Sequence, residues 1–224
     1  GIRRGDEITS IDGVRISKSA TGTVVTRLRG PPGTTVVVGL FRPASKQELS
    51  LTLTREKIKV DSVRAASVLA GGIGYVRLTQ FSQRTPDEFA RALASLQKQG
   101  IRALVVDLRD NPGGLLDAVV DVAGNFFAKD ELIVYTQGRD AKDREEFRAY
   151  HAGPPLSLPL AVLINAGSAS AAEILAGALK DTHRAVIVGE RSFGKGSVQS
   201  IFKLENGGGL RLTVARYYTP GGEV

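Results

Sequence analysis

Cysteine is absent from this 224-residue chain, which excludes disulfides, thiol nucleophiles and cysteine-ligated metals. Histidine is scarce: His151 and His183 are the only two. They leave little material for a histidine-dependent triad, so any nucleophile must find another base. No apolar run approaches the roughly 18 residues that a membrane-spanning helix needs. With 42% hydrophobic and 24% charged residues, composition is that of an ordinary globular protein. The charge balance is basic, 30 Lys and Arg against 23 Asp and Glu, a net charge of +7 and a pI near 9.8. The basic residues are scattered without a long cluster, which reads as a solvated surface and argues against nucleic-acid binding. There is no initiator methionine and no signal-like segment. The chain opens in mid-motif at Gly1-Ile2 and stops just after a strand at Gly221-Gly222-Glu223-Val224, so both ends read as cut. The missing targeting segment therefore carries no information about location.

Two patterns divide what is present. Ile2 to Arg55 reads as β-rich: a short strand at Ile8–Ile11, a valine-rich one at Thr34–Phe41, and Leu49, Leu51 and Leu53 alternating with polar residues. A period of two buries one face. Val24, Val25 and Leu28 sit at helical spacing before the turn Gly30-Pro31-Pro32-Gly33, giving a small strand-helix-strand-strand module over residues 1–56. From Ile73 strands and helices alternate. Gly74–Thr79, Ala103–Leu108, Leu132–Thr136, Leu160–Ile164 and Ala185–Val188 read as strands, and Thr85-Pro86-Asp87-Glu88 reads as a capping box opening a helix that runs to Gly100. Residues 57–224 are thus expected to form an α/β core on a mainly parallel sheet, with sites where strand ends meet helix starts. Asp140 to Glu146 reads as a mobile surface loop and Gly207 to Gly209 as a hairpin turn.

The candidate chemistry falls at those strand ends. Ser170, in Gly167-Ser168-Ala169-Ser170-Ala171-Ala172-Glu173, follows an apolar strand and opens an alanine-rich helix. It reads either as a helix cap or as a nucleophile, with small neighbours that let another chain approach. The backbone N–H of Ala171, at the helix start, can donate to an oxyanion. Lys195 lies between Gly194 and Gly196. It reads as an exposed lysine, as the end of a phosphate loop, or as a general base. The phosphate-loop pattern fails because Gly196 stands where Ser or Thr would hold magnesium. A free lysine titrates near about 10.4, so a base role needs surroundings that disfavour the ammonium. Gly113, in the turn Asn111-Pro112-Gly113-Gly114, offers an unobstructed N–H for the second half of an oxyanion hole. Gln199, four residues past Lys195, is placed to orient the amine.

Taken together these motifs resemble one family, the C-terminal processing peptidases, or tail-specific serine proteases with a serine-lysine dyad. Gly1 to Gly13 resembles the second half of a PDZ domain. Gly74 to Phe81, Asp107 to Gly114, Gly167 to Glu173 and Gly189 to Gln199 match the family's ordered motifs, with Ala172 replacing a serine. The resemblance implies a crotonase-like (ClpP/crotonase) core preceded by a truncated PDZ module. It implies Ser170 as nucleophile, Lys195 as base, Gln199 as the residue positioning Lys195, and the amides of Ala171 and of Gly113 or Gly114 as the oxyanion hole. No cofactor and no metal are implied. Substrates would be proteins with apolar C-terminal tails, in an extracytoplasmic setting such as periplasm, cell envelope or thylakoid lumen. The resemblance leaves open an adaptor, a homo-oligomer and peripheral membrane association of the full-length protein. A non-catalytic binding protein of the same fold, and an acyl-thioester enzyme of crotonase type, are the readings it displaces.

Overall fold

A computed structural model describes all residues except Arg4, 17–20, 57–59, 151–152, 205–207 and Val224, and His151 and Gly207 lie outside the described residues. Two compact units divide the chain, Gly1–Val60 and Asp61–Val224.

In the first unit, strands β1 (Glu7–Ile11) and β2 (Val14–Arg15), helix α1 (Thr21–Leu28), and strands β3 (Thr35–Arg42) and β4 (Gln47–Thr54) follow in order. The strands form one antiparallel sheet, β2-β1-β3-β4. The expected alternation is realised: Ile11, Val36, Val38 and Leu40 are buried, with Val24, Leu28, Leu49, Leu51 and Leu53 packed against them. Asp6 and Arg42 form a shielded pair at 2.8 Å, and the guanidinium holds the Asp6 carboxyl well below the usual carboxylate range.

The second unit is mixed α/β. Its elements are β5 (Val63–Leu69), β6 (Ile73–Leu78), α2 (Thr85–Lys98), β7 (Ala103–Asp107), α3 (Leu116–Ala123), β8 (Leu132–Gln137), β9 (Arg144–Arg148), β10 (Leu160–Ile164), α4 (Ala171–Asp181), β11 (Val186–Gly189), β12 (Ser197–Lys203) and β13 (Gly209–Tyr218). One sheet has the order β11-β10-β7-β6-β5, in which β6, β7, β10 and β11 are parallel and β5 pairs antiparallel. Val76, Leu78, Leu104, Val106 and Val162 point from its strands into a core shared with α2, α3 and α4. The alanines of α4 serve that core: Ala171, Ala172 and Ala178 are buried beside Leu175 and Leu179, and small side chains allow close packing.

Some expectations change. The strand at Leu132 does not join the parallel series; β8 lies in a separate antiparallel sheet, β12-β13-β8-β9. The supposed mobile loop Asp140–Glu146 is a 3-10 turn, Ala141–Asp143, followed by β9. Its charges pair along the strand, with Glu146 between Arg144 and Arg148. The Thr85 capping box does not form. Helix α2 starts one residue earlier than the box requires, and Glu88 turns away to accept the backbone N–H groups of Ser62 (2.6 Å) and Val63. By accepting these strand-end donors the carboxylate stabilises the entry to β5 instead of its own helix.

Candidate active site

Two turns at the carboxyl ends of β7 and β10 meet. The first, Asp107 to Leu115, is pinned on one side to the segment after β6: Phe81 N–H donates to Gly113 O and Leu115 N–H to Phe81 O, both at 2.9 Å. Asn111, fully buried, donates through Nδ2 to Leu78 O at 3.0 Å and accepts the Gly113 N–H at 2.9 Å. The Gly113 amide is therefore occupied. Among the described residues no acceptor is found for the next amide, Gly114. Both glycines are dictated by crowding. A Cβ on Gly113 would stand 2.8 Å from Ser170 Cβ and 2.6 Å from Ala169 O, and one on Gly114 would stand 1.9 Å from Phe81 O.

The second turn, Asn165 to Ser170, carries the nucleophile candidate. Ala169 N–H donates to Asn111 O (2.9 Å), and the buried Ser168 hydroxyl donates to Leu108 O (2.8 Å). Ser170 is the residue before α4, at φ 56° and ψ −116°. A side-chain-bearing residue in that region is strained, and such strain persists only where the surroundings over-determine it. Here they do. Ala171, the first helical residue, has an N–H that no helix carbonyl can reach. Its nitrogen stands 2.8 Å from where a Cβ on Gly113 would sit, and among the described residues no acceptor is found for it, as for Gly114.

Glu173 joins this turn to the lysine segment. Its Oε2 accepts the backbone N–H of Ser170 (2.7 Å) and of Lys195 (2.9 Å), while Oε1 accepts the Ser192 hydroxyl (2.7 Å) and the Gly194 N–H (2.6 Å). Burial pushes its pKa up, and the four hydrogen bonds outweigh that, leaving Glu173 below its ordinary value. Beside the first turn, Asp107 is fully buried. Burial again opposes ionisation, but Arg109 (2.7 and 2.9 Å) and the Tyr75 hydroxyl (2.6 Å) bring its pKa down to about 2. The sequence assigns no role in the site to Glu173, Asn111 or Asn165, and offers Ser168 only as an alternative helix cap. The S-x-x-E spacing from Ser170 to Glu173 was the available signal for the first of these.

Ser170 and Lys195 line the same cavity of about 380 Å³, together with Glu173, Ser192, Arg191 and an apolar wall of Val134, Ile164, Ile174, Ile187 and Tyr217. Lys195 itself is exposed, as is Gln199 on β12. Among the described residues no hydrogen bond joins Ser170 Oγ to Lys195 Nζ, and none joins Gln199 to Lys195. The same set contains no cluster of residues suited to hold a metal ion, and no helix long and apolar enough to cross a membrane.

The chain is 43% identical to a carboxy-terminal-processing protease of Bartonella bacilliformis over 99% of its length and 51% of the relative's. It is 42% identical to a carboxyl-terminal-processing protease of Synechocystis over 98% and 52%. Thus it spans about half the length of the curated relatives it matches. Among solved structures, the photosystem II D1 C-terminal processing protease matches all of this chain and 61% of its own, with a TM-score of 0.65 and 37% identity. The family model for peptidase family S41 matches residues 72–224, the stretch that holds both turns, Glu173 and the cavity. On that match and those identities, the chain belongs to peptidase family S41.

Proposed function

We propose that this chain carries the catalytic part of a serine endopeptidase that cuts protein substrates near their C-termini through Ser170 and Lys195. The observation that carries the reading is the strained Ser170 lining a cavity it shares with Lys195, next to Ala171 and the Gly113-Gly114 turn, where the Ala171 and Gly114 amides have no acceptor among the described residues. In this reading the neutral Lys195 amine takes the Ser170 proton as Oγ attacks the scissile carbonyl. The N–H groups of Gly114 and Ala171 stabilise the oxyanion, and Gly113 acts by packing, since its own N–H is held by Asn111. Collapse breaks the C–N bond, and the lysine proton leaves with the amine. A water then gives a proton to Lys195 as it attacks the ester, and Lys195 passes that proton to Ser170 Oγ as the ester C–O bond breaks, releasing the acid and restoring both side chains. Lysine acts as a base only where the ammonium is disfavoured, and Lys195 is exposed, so the substrate lying over the cavity mouth supplies the drier surroundings. Gln199 positions the amine, and the apolar cavity wall takes a substrate side chain next to the scissile bond.

We read Asp61–Val224 as the crotonase-like core and Gly1–Val60 as the later part of a PDZ domain that in the full-length protein assists recognition of apolar tails. The setting is extracytoplasmic, in line with the chloroplastic names of several relatives. The exposure of Lys195 favours one second reading, a binding protein of the same fold. A single assay separates the two: the full-length protein is incubated with an unstructured protein ending in apolar residues, beside Ser170→Ala and Lys195→Ala. Cleavage that falls by about 10⁴-fold or more in both, with melting temperatures retained, is expected. Cleavage unchanged in either variant sinks the dyad, and no cleavage by the wild type establishes the binding reading.

A further inference from the structure

The two turns that carry Gly113-Gly114 and Ala171 come from different strands, and two side chains bridge them: Ser168, whose hydroxyl donates to Leu108 O, and Asn165. Asn165 Oδ1 accepts two backbone N–H groups, Asp110 at 2.9 Å and Gly167 at 3.0 Å. Its Nδ2 donates to Asp110 Oδ1 at 2.9 Å. The other Asp110 oxygen meets Arg77 Nη2 of β6 at 3.4 Å. Every polar atom of the Asn165 amide that faces the first turn is thus used. The fit is close: a Cβ on Gly167 would stand 2.9 Å from Asp110 Cα. Asp110 is at φ 61° and Ser170 at φ 56°, so each turn carries one strained residue that its surroundings must hold.

We infer that the Asn165–Asp110 pair is a latch that sets the separation of the two halves of the oxyanion hole, Asn165 acting as a positioning residue for catalysis. This rests on the serine-peptidase reading above. A hydrogen-bonded amide contributes far more here than its exposure suggests, because an error of about 1 Å between the two amides costs about 10²-fold in rate.

Replacing Asn165 with aspartate isolates the latch. The new carboxylate still accepts both backbone N–H groups, but its second oxygen faces Asp110 Oδ1 where a donor belongs. Two carboxylates in contact cannot both ionise readily, so one takes a proton at a higher pH than an isolated carboxyl would. Once protonated it donates to the other and restores the bond. The charged groups around the pair are Arg77, paired to Asp110, the Asp107–Arg109 pair on the strand below, and Glu190, exposed at the end of β11 next to β10.

The test measures kcat and KM from pH 5 to 8 in the full-length protein, using an unstructured protein ending in apolar residues, with melting temperatures for each variant. Asn165→Asp is expected to lower kcat about 10- to 100-fold at pH 8 with KM within about twofold, and to regain most of that ratio to wild type at pH 5. The exchanged double variant Asp110→Asn/Asn165→Asp restores one donor facing one acceptor, and is expected within about threefold of wild type at every pH. The latch is overturned if Asn165→Asp leaves kcat within twofold at all pH values, or if the double variant keeps the full loss. Should Asn165→Asp fail to fold, the double variant decides alone by the same criterion. Ser170→Ala is run alongside. Cleavage that survives it overturns the peptidase reading and the latch together, whereas Ser170-dependent cleavage with an unmoved Asn165→Asp overturns the latch only.

Discussion

The two sides of the candidate site are built differently. The oxyanion side, residues 107–115 and 165–173, is crossed by hydrogen bonds from Asn111, Ser168, Asn165 and the backbone of Phe81, and much of it is buried. The lysine side, residues 191–204, meets the serine turn through the Glu173 carboxylate and one backbone bond, Phe193 N–H to Ser168 O. Its apolar side chains stand in water: Phe193 is 69% and Ile201 67% exposed. On the proposed reading, the contrast teaches that the amides assigned to the oxyanion are preorganised by the fold itself, while the segment of the lysine assigned to move the proton is tied to the serine turn mainly by one acid. Preorganised donors need no rearrangement at the moment of reaction. A lysine that must lose its proton benefits from a cover that arrives with substrate.

The rigid side offers the largest effect by which to break this comparison. Gly114→Ala places a methyl group 1.9 Å from Phe81 O at a backbone φ of 149°, so the turn must move and carry its amide with it. A loss of about 10²–10³ in kcat, with KM little changed, is expected from steady-state kinetics. Serine labelling by a fluorophosphonate would fall with it. A variant that keeps its kcat while folded shows that the oxyanion side is not rigidly set by this contact.

Glu173 is the test of the connection between the sides. Glutamine keeps the shape but turns a donor toward two of the four donors that the carboxylate serves, so Glu173→Gln is expected to lose about 1–3 kcal/mol of stability and about tenfold or more in kcat. Because the folded state holds this carboxyl below its ordinary pKa, its contribution is complete above the usual carboxylate range and fades as pH falls through the lowered value. Thermal melts from pH 7 down to pH 3 should therefore show wild type converging on Glu173→Gln at the acid end. A gap between the two proteins that stays constant with pH would remove the charge from the account.

How much of this was legible beforehand depended on range. Ser170, Lys195 and the glycine pair sit at the strand–helix boundaries that periodicity and turn chemistry predict, because those signals are local: apolar runs, Gly-rich turns, an alanine-rich helix start. The partners that fix them are not local. Asn165 meets Asp110 across 55 positions and Asn111 meets Leu78 across 33, and no spacing rule announces such pairs. Glu88 shows the same limit from the other side. Its sequence neighbourhood promises a helix cap, but unpaired amides 25 and 26 positions away claim it. The second sheet was missed for a related reason, since β8 has the apolar pattern of the parallel strands and its pairings with β9 and the distant β13 place it elsewhere.

The smallest effect belongs to the lysine side. Strand β12 is at the edge of its sheet, and its pairing with β13 slips between Val198 and Gln199. The extra residue, Val214, lies on β13; such bulges are common beside active sites, and Gln199 stands opposite this one. A general base supplies about 10²–10⁴ in rate, and a residue that only steadies it controls a fraction of that. Gln199→Ala is expected to lower kcat about tenfold or less, leave KM and the melting temperature in place, and leave fluorophosphonate labelling of Ser170 closer to wild type than Lys195→Ala does. A loss as large as that of Lys195→Ala would mean that the arm depends on Gln199 as tightly as the oxyanion turns depend on their glycines. The division between a rigid side and a sparsely held side would then give way to one continuous network.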